Sequence, residues 1–231
     1  MKIVSVLQKK GGVGKSTIAV HLAYVLKFLF PHLRISLADA DPQQSALNWI
    51  NRGKKRGFSS LDCYAVATDG SGKMLKQEIN AISSDVIIID LPPAIETVSL
   101  RASLYSDLML VPVGSSPLDI EAARDAVSVC KEAIGLNSEK EFLLVPSRIR
   151  KSTSAGKELR EVLANWGPVS NTNIGLRVAL ADSATVGVGI DTFSPNSAAH
   201  QEITSLAKQV AKLLGLKRGR NDGKKNIASR T

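Results

Sequence analysis

The fold is decided by one stretch near the start of the chain, Lys9-Lys10-Gly11-Gly12-Val13-Gly14-Lys15-Ser16-Thr17. An apolar run from Lys2 to Leu7 precedes it and is typical of a buried strand, and a helical pattern from Ser16 to Leu29 follows it. The glycines let the backbone bend so that successive N–H groups point inward, where the first turn of the helix adds further N–H groups. The stretch therefore predicts a phosphate-binding loop between a strand and a helix.

The residue types follow the nucleotide-binding pattern GxxxxGK[ST], with one departure. Gly14, Lys15 and Ser16 supply the end of the pattern, whereas Lys9 stands where its first glycine is expected. We predict that Lys15 neutralises the β and γ phosphates and that Ser16 offers its hydroxyl to Mg²⁺.

Acidic residues follow two of the predicted strands. Asp90 ends the apolar run Val86 to Ile89, and Asp39 and Asp41 follow the run Arg34 to Ala38. Ligands of open α/β sheets bind at the carboxyl ends of the strands. Asp90 is thus predicted to bind the metal. Of the next two carboxylates, Asp39 is predicted to serve the metal shell and Asp41 the attacking water.

Short β-branched runs alternate with helical patterns along the chain, which predicts an α/β fold with a mostly parallel sheet flanked by helices on both faces. The predicted strands are Lys2 to Leu7, Arg34 to Ala38, Asp62 to Val66, Val86 to Ile89, Leu108 to Val113, Glu141 to Val145 and Ile174 to Val178. The predicted helices are Ser16 to Leu29, Gln43 to Arg52, Gly72 to Ile82, Val98 to Tyr105, Leu118 to Ile134, Ser154 to Asn165 and Ser197 to Leu214.

Composition restricts the class of protein. With 231 residues and 44% hydrophobic content, the chain is long enough for one well-buried domain. We expect a cytoplasmic protein, because no leader pattern opens the chain and no apolar run approaches the roughly 20 residues that cross a bilayer. Cys63 and Cys130 lack the spacing of a zinc site or a disulfide framework and are expected to be buried thiols.

The positive charge is concentrated towards the end of the chain. Six basic residues and one acidic residue lie between Leu216 and Thr231, so this tail carries +5 of the formal net charge of +9. A second basic cluster is Arg148, Arg150 and Lys151. These residues indicate either a surface that binds a polyanion such as DNA or a solubilising tail, and charge alone favours neither.

Three motifs together resemble the ParA/MinD family of deviant Walker ATPases: Lys10-Gly11-Gly12-Val13-Gly14-Lys15-Ser16-Thr17, Asp39-Ala40-Asp41-Pro42-Gln43 and Ile88-Ile89-Asp90-Leu91-Pro92-Pro93. Further matching stretches run from Leu110 to Asp119 and from Gly187 to Ala199. The resemblance covers a deviant Walker P-loop domain over residues 1–214 and is nearest to small plasmid-partition ParA proteins. Residues 215–231 are left as a basic tail, predicted to be disordered.

The resemblance implies ATP and Mg²⁺ as cofactors and gives each site residue a role. Lys10 would be the signature lysine, which reaches across a dimer interface to the partner's nucleotide. Ser16 and Asp90 would bind Mg²⁺, Asp39 would lie near the metal, and Asp41 would position the water. The implied nucleotide contacts are Lys10, Gly11, Gly12, Val13, Gly14, Lys15, Ser16, Thr17 and Arg148. The chain departs from many relatives at Pro146-Ser147-Arg148, where they have an asparagine that reads adenine.

The function that the resemblance implies is a switch ATPase for partition of plasmid or other cargo. The ATP-bound homodimer would bind nonspecific DNA, a ParB-like or other cargo adaptor would stimulate slow hydrolysis, and the protein would be nucleoid-associated. The predicted DNA surface consists of Arg148, Arg150, Lys151, Lys212, Lys217, Arg218 and Arg220.

Three other functions compete with this one. A MinD-like membrane-cycling ATPase would use an apolar stripe of the last helix, with basic residues nearby, but such a stripe is more typical of a buried face. The stripe consists of Ile203, Leu206, Val210, Leu213 and Leu214. An iron–sulfur reductase needs cysteine thiolates, of which only Cys63 and Cys130 are available. A metabolic kinase needs an acceptor site, and the sequence shows no motif for one.

Overall fold

Parallel strands form one sheet in the computed structural model, which describes residues 1–58, 61–68, 73–93, 96–150 and 153–219. The strand order is β3-β2-β4-β1-β5-β6, and every neighbouring pair is parallel. The predicted α/β class is therefore confirmed. The strands are β1 Lys2–Val6, β2 Ile35–Asp39, β3 Asp62–Ala65, β4 Val86–Asp90, β5 Leu108–Val113 and β6 Glu141–Pro146.

Helices cover both faces of the sheet. On one face lie α1 Lys15–Leu29, α2 Ser45–Lys55, α7 Val178–Val186, α8 Ile190–Phe193 and α9 Ala198–Leu213. On the other face lie α3 Lys73–Ala81, α4 Glu96–Tyr105, α5 Pro117–Leu136 and α6 Ser154–Ala164. No helix in the described part of the chain is long and apolar enough to cross a membrane.

The strand β4 shows how the two apolar layers are built from one strand. Val86 and Ile88 belong to the core on the α1 side, whereas Ile87 and Ile89 belong to the core on the α5 side. This alternation follows from the pleat, because successive side chains of a strand point to opposite faces. A strand covered on both faces needs no polar positions, which explains the uninterrupted apolar run.

The structure corrects one predicted strand and adds two helices. The run Ile174 to Val178 is not a strand, since only Gly175 forms an isolated bridge, with Ile149, and α7 already begins at Val178. Neither α7 nor α8 was predicted. The sequence of α7, Val-Ala-Leu-Ala-Asp-Ser-Ala-Thr-Val, is dominated by small and β-branched residues and has no apolar stripe of helical period.

A buried histidine joins α1 to α7 and α8. The Nδ1 atom of His21 accepts the backbone N–H of Ile190 at 3.0 Å, and its Nε2 atom lies 3.4 Å from the carbonyl oxygen of Leu180. The ring also packs edge-on against Trp49, with 5.0 Å between the ring centroids. These contacts fit a neutral imidazole with its proton on Nε2, and burial lowers the pKa of His21 to about 4.

This pKa predicts an acid-sensitive fold. As the pH falls below 6.5, the usual pKa of the group, the unfolded chain takes up a proton on residue 21 before the folded protein does. Stability present above that pH is lost towards pH 4, by about 3 kcal/mol from His21. Denaturant unfolding of the native protein and of His21→Asn, which retains an acceptor for Ile190, measures this difference. Parallel pH profiles of the two proteins would contradict the assignment.

Candidate active site

The predicted site residues meet at one edge of the sheet. In the register of the strands Val6 lies beside Asp90, and Asp90 lies beside Asp39. The glycine-rich loop leaves β1 at this edge and enters α1 at Lys15. The phosphate-binding loop and both strand-end carboxylates are therefore neighbours, because parallel strands bring their carboxyl ends to the same side.

The loop has a conformation that requires glycine at two positions. Gly12 has φ 77° and Gly14 has φ 98°, both in the left-handed region. A Cβ atom on Gly14 would also lie 2.9 Å from the hydroxyl oxygen of Ser147. That hydroxyl donates to the carbonyl oxygen of Val13 at 2.8 Å, so β6 and the loop are tied together at this point.

Lys15 is buried at the floor of a cavity of about 430 Å³. Its Nζ atom donates to the carbonyl oxygen of Lys10 at 3.3 Å. Burial lowers the pKa of Lys15, and the nearby carboxylates of Asp90 and Asp41 oppose this effect. The volume lies within the range of ligand pockets. The cavity is lined by the loop, by Asp41, Pro93, Ser147 and Arg148, and by residues 174–177, 180 and 181.

Asp90 carries the clearest mark of a metal site. It is fully buried, and neither oxygen of its carboxylate has a hydrogen-bond partner among the described residues. Burial raises the pKa of Asp90 to about 7, while the adjacent Ser16 hydroxyl acts in the opposite direction. A buried carboxylate without a partner, beside a hydroxyl, is a set of hard oxygen donors that suits Mg²⁺. Because Mg²⁺ usually keeps several waters, a cluster of three His, Cys, Asp or Glu ligands is not needed, and the described residues contain none.

Asp39 and Asp41 have different surroundings. The carboxylate of Asp39 accepts the backbone N–H groups of Asp41 at 3.1 Å and Leu47 at 2.9 Å, so both of its oxygens shape the loop after β2. Burial raises the pKa of Asp39, and these hydrogen bonds lower it in part. Asp41 lines the cavity. Asp39 therefore fixes the backbone of the loop that carries Asp41. The role of Asp39 near the metal remains a prediction.

Lys10 points away from the cavity of its own chain. Its Nζ atom lies 2.6 Å from Oδ1 of Asp119, in the first turn of α5. Partial burial raises the pKa of Asp119, but the hydrogen bonds from Lys10 and Ser116 outweigh it, so the pKa lies below its ordinary value. Lys10 does not line the cavity, although its carbonyl oxygen accepts from Lys15.

Arg148 was predicted both as a nucleotide contact and as part of the DNA surface. Its backbone is left-handed, with φ 56°, and its guanidinium donates to the carbonyl oxygen of Gly12. The side chain therefore lies over the phosphate-binding loop and lines the cavity. This position agrees with a nucleotide contact, while its role towards DNA stays a prediction.

The other predicted DNA contacts lie apart from one another. Arg150 is exposed in the segment that follows β6. Lys212, Lys217 and Arg218 are exposed at the C-terminal end of α9, which Gly215 closes with φ 67°. Lys151 and Arg220, like the rest of the predicted tail from residue 220, lie outside the described residues.

One wall of the cavity was not predicted from the sequence and is formed by residues 174–177, 180 and 181. Ile174, Gly175, Leu176 and Arg177 line the cavity opposite the loop, followed by Leu180 and Ala181 of α7. These residues carry no motif, because they contribute apolar surface and backbone rather than a characteristic functional group. Only the three-dimensional structure brings them to the site.

A glycine-rich phosphate cradle at the edge of a parallel sheet, with a buried lysine and an unpartnered buried carboxylate, defines a P-loop nucleoside triphosphatase. The family model described as "CobQ/CobB/MinD/ParA nucleotide binding domain" matches residues 4–218. The chain belongs to this family.

Similar proteins are found among curated relatives and solved structures. The chain is 23% identical to maintenance of carboxysome distribution protein A of Halothiobacillus neapolitanus over 90% of this chain and 95% of that protein. A putative plasmid partition protein of Borrelia burgdorferi bound to AMPPNP has a TM-score of 0.72 at 21% identity, over 91% of this chain and 98% of that one. The septum site-determining protein MinD of Pyrococcus horikoshii, complexed with Mg-ADP, has a TM-score of 0.69 at 16% identity, over 93% and 98%.

The protein is therefore an ATPase of the ParA/MinD type, with ATP and Mg²⁺ as its cofactors. Its loop and Lys15 line the cavity, and they are the residues that would bind the phosphates. Ser16 and Asp90 are the residues that would hold Mg²⁺, and the ion would neutralise charge on the β and γ phosphates.

Removing the buried charge of Asp90 is expected to raise the stability of the protein and to lower its ATPase activity. Asp90→Asn should stabilise the protein without nucleotide or Mg²⁺ by about 1 kcal/mol, because burial without a hydrogen bond makes the carboxylate costly and the lost attraction to Lys15 offsets only part of that cost. Mg²⁺-dependent hydrolysis should fall about 100-fold or more. Chemical unfolding in EDTA and steady-state ATPase rates measure the two effects. Asp62→Asn, at an exposed position of β3, is the control and should change neither; a destabilised Asp90→Asn protein would contradict the prediction.

Proposed function

We propose that the chain is an ATP-dependent dimerising switch that positions a plasmid or another cargo over nonspecific DNA. The observation that carries the proposal is the placement of Lys10, whose ammonium group lies outside its own nucleotide cavity and beside Asp119. The names of the similar proteins, which concern carboxysome distribution and plasmid partition, support a role in positioning.

Lys10 gives the switch its physical basis. A lysine that faces away from its own nucleotide can supply its charge to the nucleotide of a second copy, where it compensates the charge on the transferring phosphoryl group. The contact with Asp119 must then break when the homodimer forms. Since both side chains are partly exposed, at 35% and 19%, the pair is weak enough to exchange.

Hydrolysis is assigned to the cavity side of the loop after β2. Asp41 lines the cavity, and Asp39 fixes its backbone through the N–H of residue 41. We infer that Asp41 positions the attacking water while Lys10 and Lys15 compensate charge. Hydrolysis returns the protein to the monomer, and an adaptor of the ParB type on the cargo stimulates this slow step.

DNA binding is assigned to two groups of exposed cations. Arg150 follows β6, whereas Lys212 lies in the last turn of α9 and Lys217 and Arg218 follow that helix. Lys151 and Arg220 extend these groups in the sequence. A dimer doubles the number of phosphate contacts, so the affinity for DNA depends on the nucleotide. The protein would accordingly be cytoplasmic and nucleoid-associated.

The packing of α9 favours DNA over a membrane as the anionic partner. Ile203, Leu206 and Val210 are fully buried in the core on the α1 side, Leu214 is buried there as well, and Leu213 packs against this core partly buried. The apolar stripe that a lipid-binding helix needs is thus already covered by protein. The two cysteines also belong to opposite faces of the sheet, since Cys63 packs on the α1 side and Cys130 on the α5 side, and this separation disfavours a shared cluster within one chain.

The proposal predicts ATP-dependent and salt-sensitive binding to random duplex DNA. Replacing Lys212, Lys217 and Arg218 by Gln should weaken binding and lower the slope of log K against log salt by about 0.9 for each phosphate contact removed. The control replaces Lys76, Arg101 and Lys131, which lie on helices of the opposite face, and should leave the slope unchanged. Binding without ATP, or binding that resists salt, would refute the DNA switch; recovery with anionic vesicles instead would favour the membrane alternative.

The Lys10 contact predicts opposite effects on dimerisation. Lys10→Ala should still bind ATP but stay monomeric, because the charge supplied to the partner is lost. Asp119→Asn should shift the ATP-dependent monomer–dimer equilibrium about two- to fivefold towards the dimer, as expected for a partly exposed ion pair. Analytical ultracentrifugation with ATP and Mg²⁺ measures both. A Lys10→Ala protein that dimerises normally would exclude the proposed role.

A further inference from the structure

The wall of the cavity opposite the phosphate-binding loop is a short extended segment, residues 174–177, here called the strap. One side of the strap is bonded to the chain that leaves β6. The N–H of Ile174 donates to the carbonyl oxygen of Pro146 at 2.8 Å, and the N–H of Leu176 donates to that of Ile149 at 3.1 Å. These bonds fix the backbone of the strap on the sheet side only.

The other side of the strap is held by one carboxylate, that of Glu202 in α9. Its Oε2 atom accepts the backbone N–H of Gly175 at 2.9 Å, and its Oε1 atom lies 2.6 Å from Nη2 of Arg177. Both side chains are largely covered, with 28% of Arg177 and 14% of Glu202 exposed. Glu202 therefore bonds to the backbone and to a side chain of the strap at once.

Gly175 makes this arrangement possible. A Cβ atom at this position would lie 2.6 Å from Nε of Arg177, so a larger residue would push the guanidinium away from Glu202. Arg177 is also the residue before the first turn of α7, with an extended backbone. The carboxylate of Glu202 therefore holds both the strap and the start of α7 in position.

The chemistry of the cavity assigns its two ends to different parts of a nucleotide. The loop end offers N–H groups and Lys15, which suit phosphates. The strap end offers the side chains of Ile174, Leu176 and Leu180, which suit a flat apolar ring. The Ser147 hydroxyl already donates its proton to the carbonyl oxygen of Val13, so this proton is not available for a hydrogen bond to the base of the nucleotide.

We propose that Glu202 is a positioning residue for ATP, which holds the strap where it contacts the base and ribose of the nucleotide. Glu202 acts through Gly175 and Arg177 and is not among the residues that line the cavity. The proposal requires ATP binding by the monomer and does not depend on dimerisation or on DNA.

A merely structural role for Glu202 predicts a different result. Loss of a structural contact lowers the stability of the protein but affects all ligands of the folded state alike. Loss of a positioned strap weakens only those ligands that reach it. Inorganic tripolyphosphate with Mg²⁺ has the phosphates of ATP but neither base nor ribose, and it therefore separates the two roles.

The experiment compares Glu202→Ala and Glu202→Gln with the native chain. Displacement of a fluorescent ATP analogue gives the Kd for ATP and for tripolyphosphate, each with Mg²⁺. We expect Glu202→Ala to raise the Kd for ATP about tenfold, as for the loss of one or two buried hydrogen bonds, and to leave that for tripolyphosphate within about twofold. In Glu202→Gln the amide oxygen can still accept from Gly175, so its effect should be smaller.

Gln201→Ala is the matched control, because residue 201 is the exposed neighbour on the same helix and donates to the carbonyl oxygen of Asn196. It should leave both constants unchanged. In steady-state assays Glu202→Gln should raise KM for ATP and leave kcat unaltered. An unchanged Kd for ATP, or an equal rise for ATP and tripolyphosphate, would overturn the proposal. If Glu202→Ala does not fold, Glu202→Gln decides the question by the same comparison.

Discussion

The whole site depends on burying a carboxylate at the end of a fully buried central strand of the sheet. β4 is covered on both faces, and Asp90 at its end has no hydrogen-bond partner in the described chain. Such a group is costly to bury as a charge, and burial accordingly raises its pKa. The ammonium group of Lys15 offsets part of this cost and a bound cation would offset more, which links the stability of this edge of the sheet to the cofactors of the ATPase. Two neighbouring residues contribute to the same site: Ser16 adds a hydroxyl beside Asp90, and Asp39 orders the loop after β2.

The sequence was sufficient wherever function depends on contiguous residues. The glycine-rich loop, the run that becomes β4 and Asp90 were all readable, because a phosphate cradle and a buried strand each have a local pattern. The run Ile174 to Val178 was wrongly predicted as a strand, because its backbone pairing is limited to an isolated bridge between Gly175 and Ile149 and a helix begins at Val178. α7 was missed because it packs with small residues and has no apolar stripe.

Contacts between distant parts of the chain were beyond the reach of the sequence. Lys10 and Asp119 are 109 residues apart, and the contact between Arg148 and Gly12 spans 136 residues. All four residues lie in stretches that were identified from the sequence. A motif does not specify, however, which distant residue each side chain contacts. Arg148 illustrates the consequence: it was predicted both as a nucleotide contact and as a DNA contact, and the structure shows its guanidinium bonded to the carbonyl oxygen of Gly12 in the loop.

Near the start of helix α9, Glu202 bonds to the strap that forms one wall of the cavity. Exposed cations lie at the C-terminal end of the same helix. Its 16 residues correspond to a rod of roughly 24 Å, at about 1.5 Å per residue. Glu202 and Lys212 are ten residues apart, or about 15 Å along the helix axis. One helix anchored in the core therefore carries both the carboxylate that holds the cavity wall and an exposed cation, so the spacing between them is set by the helix itself.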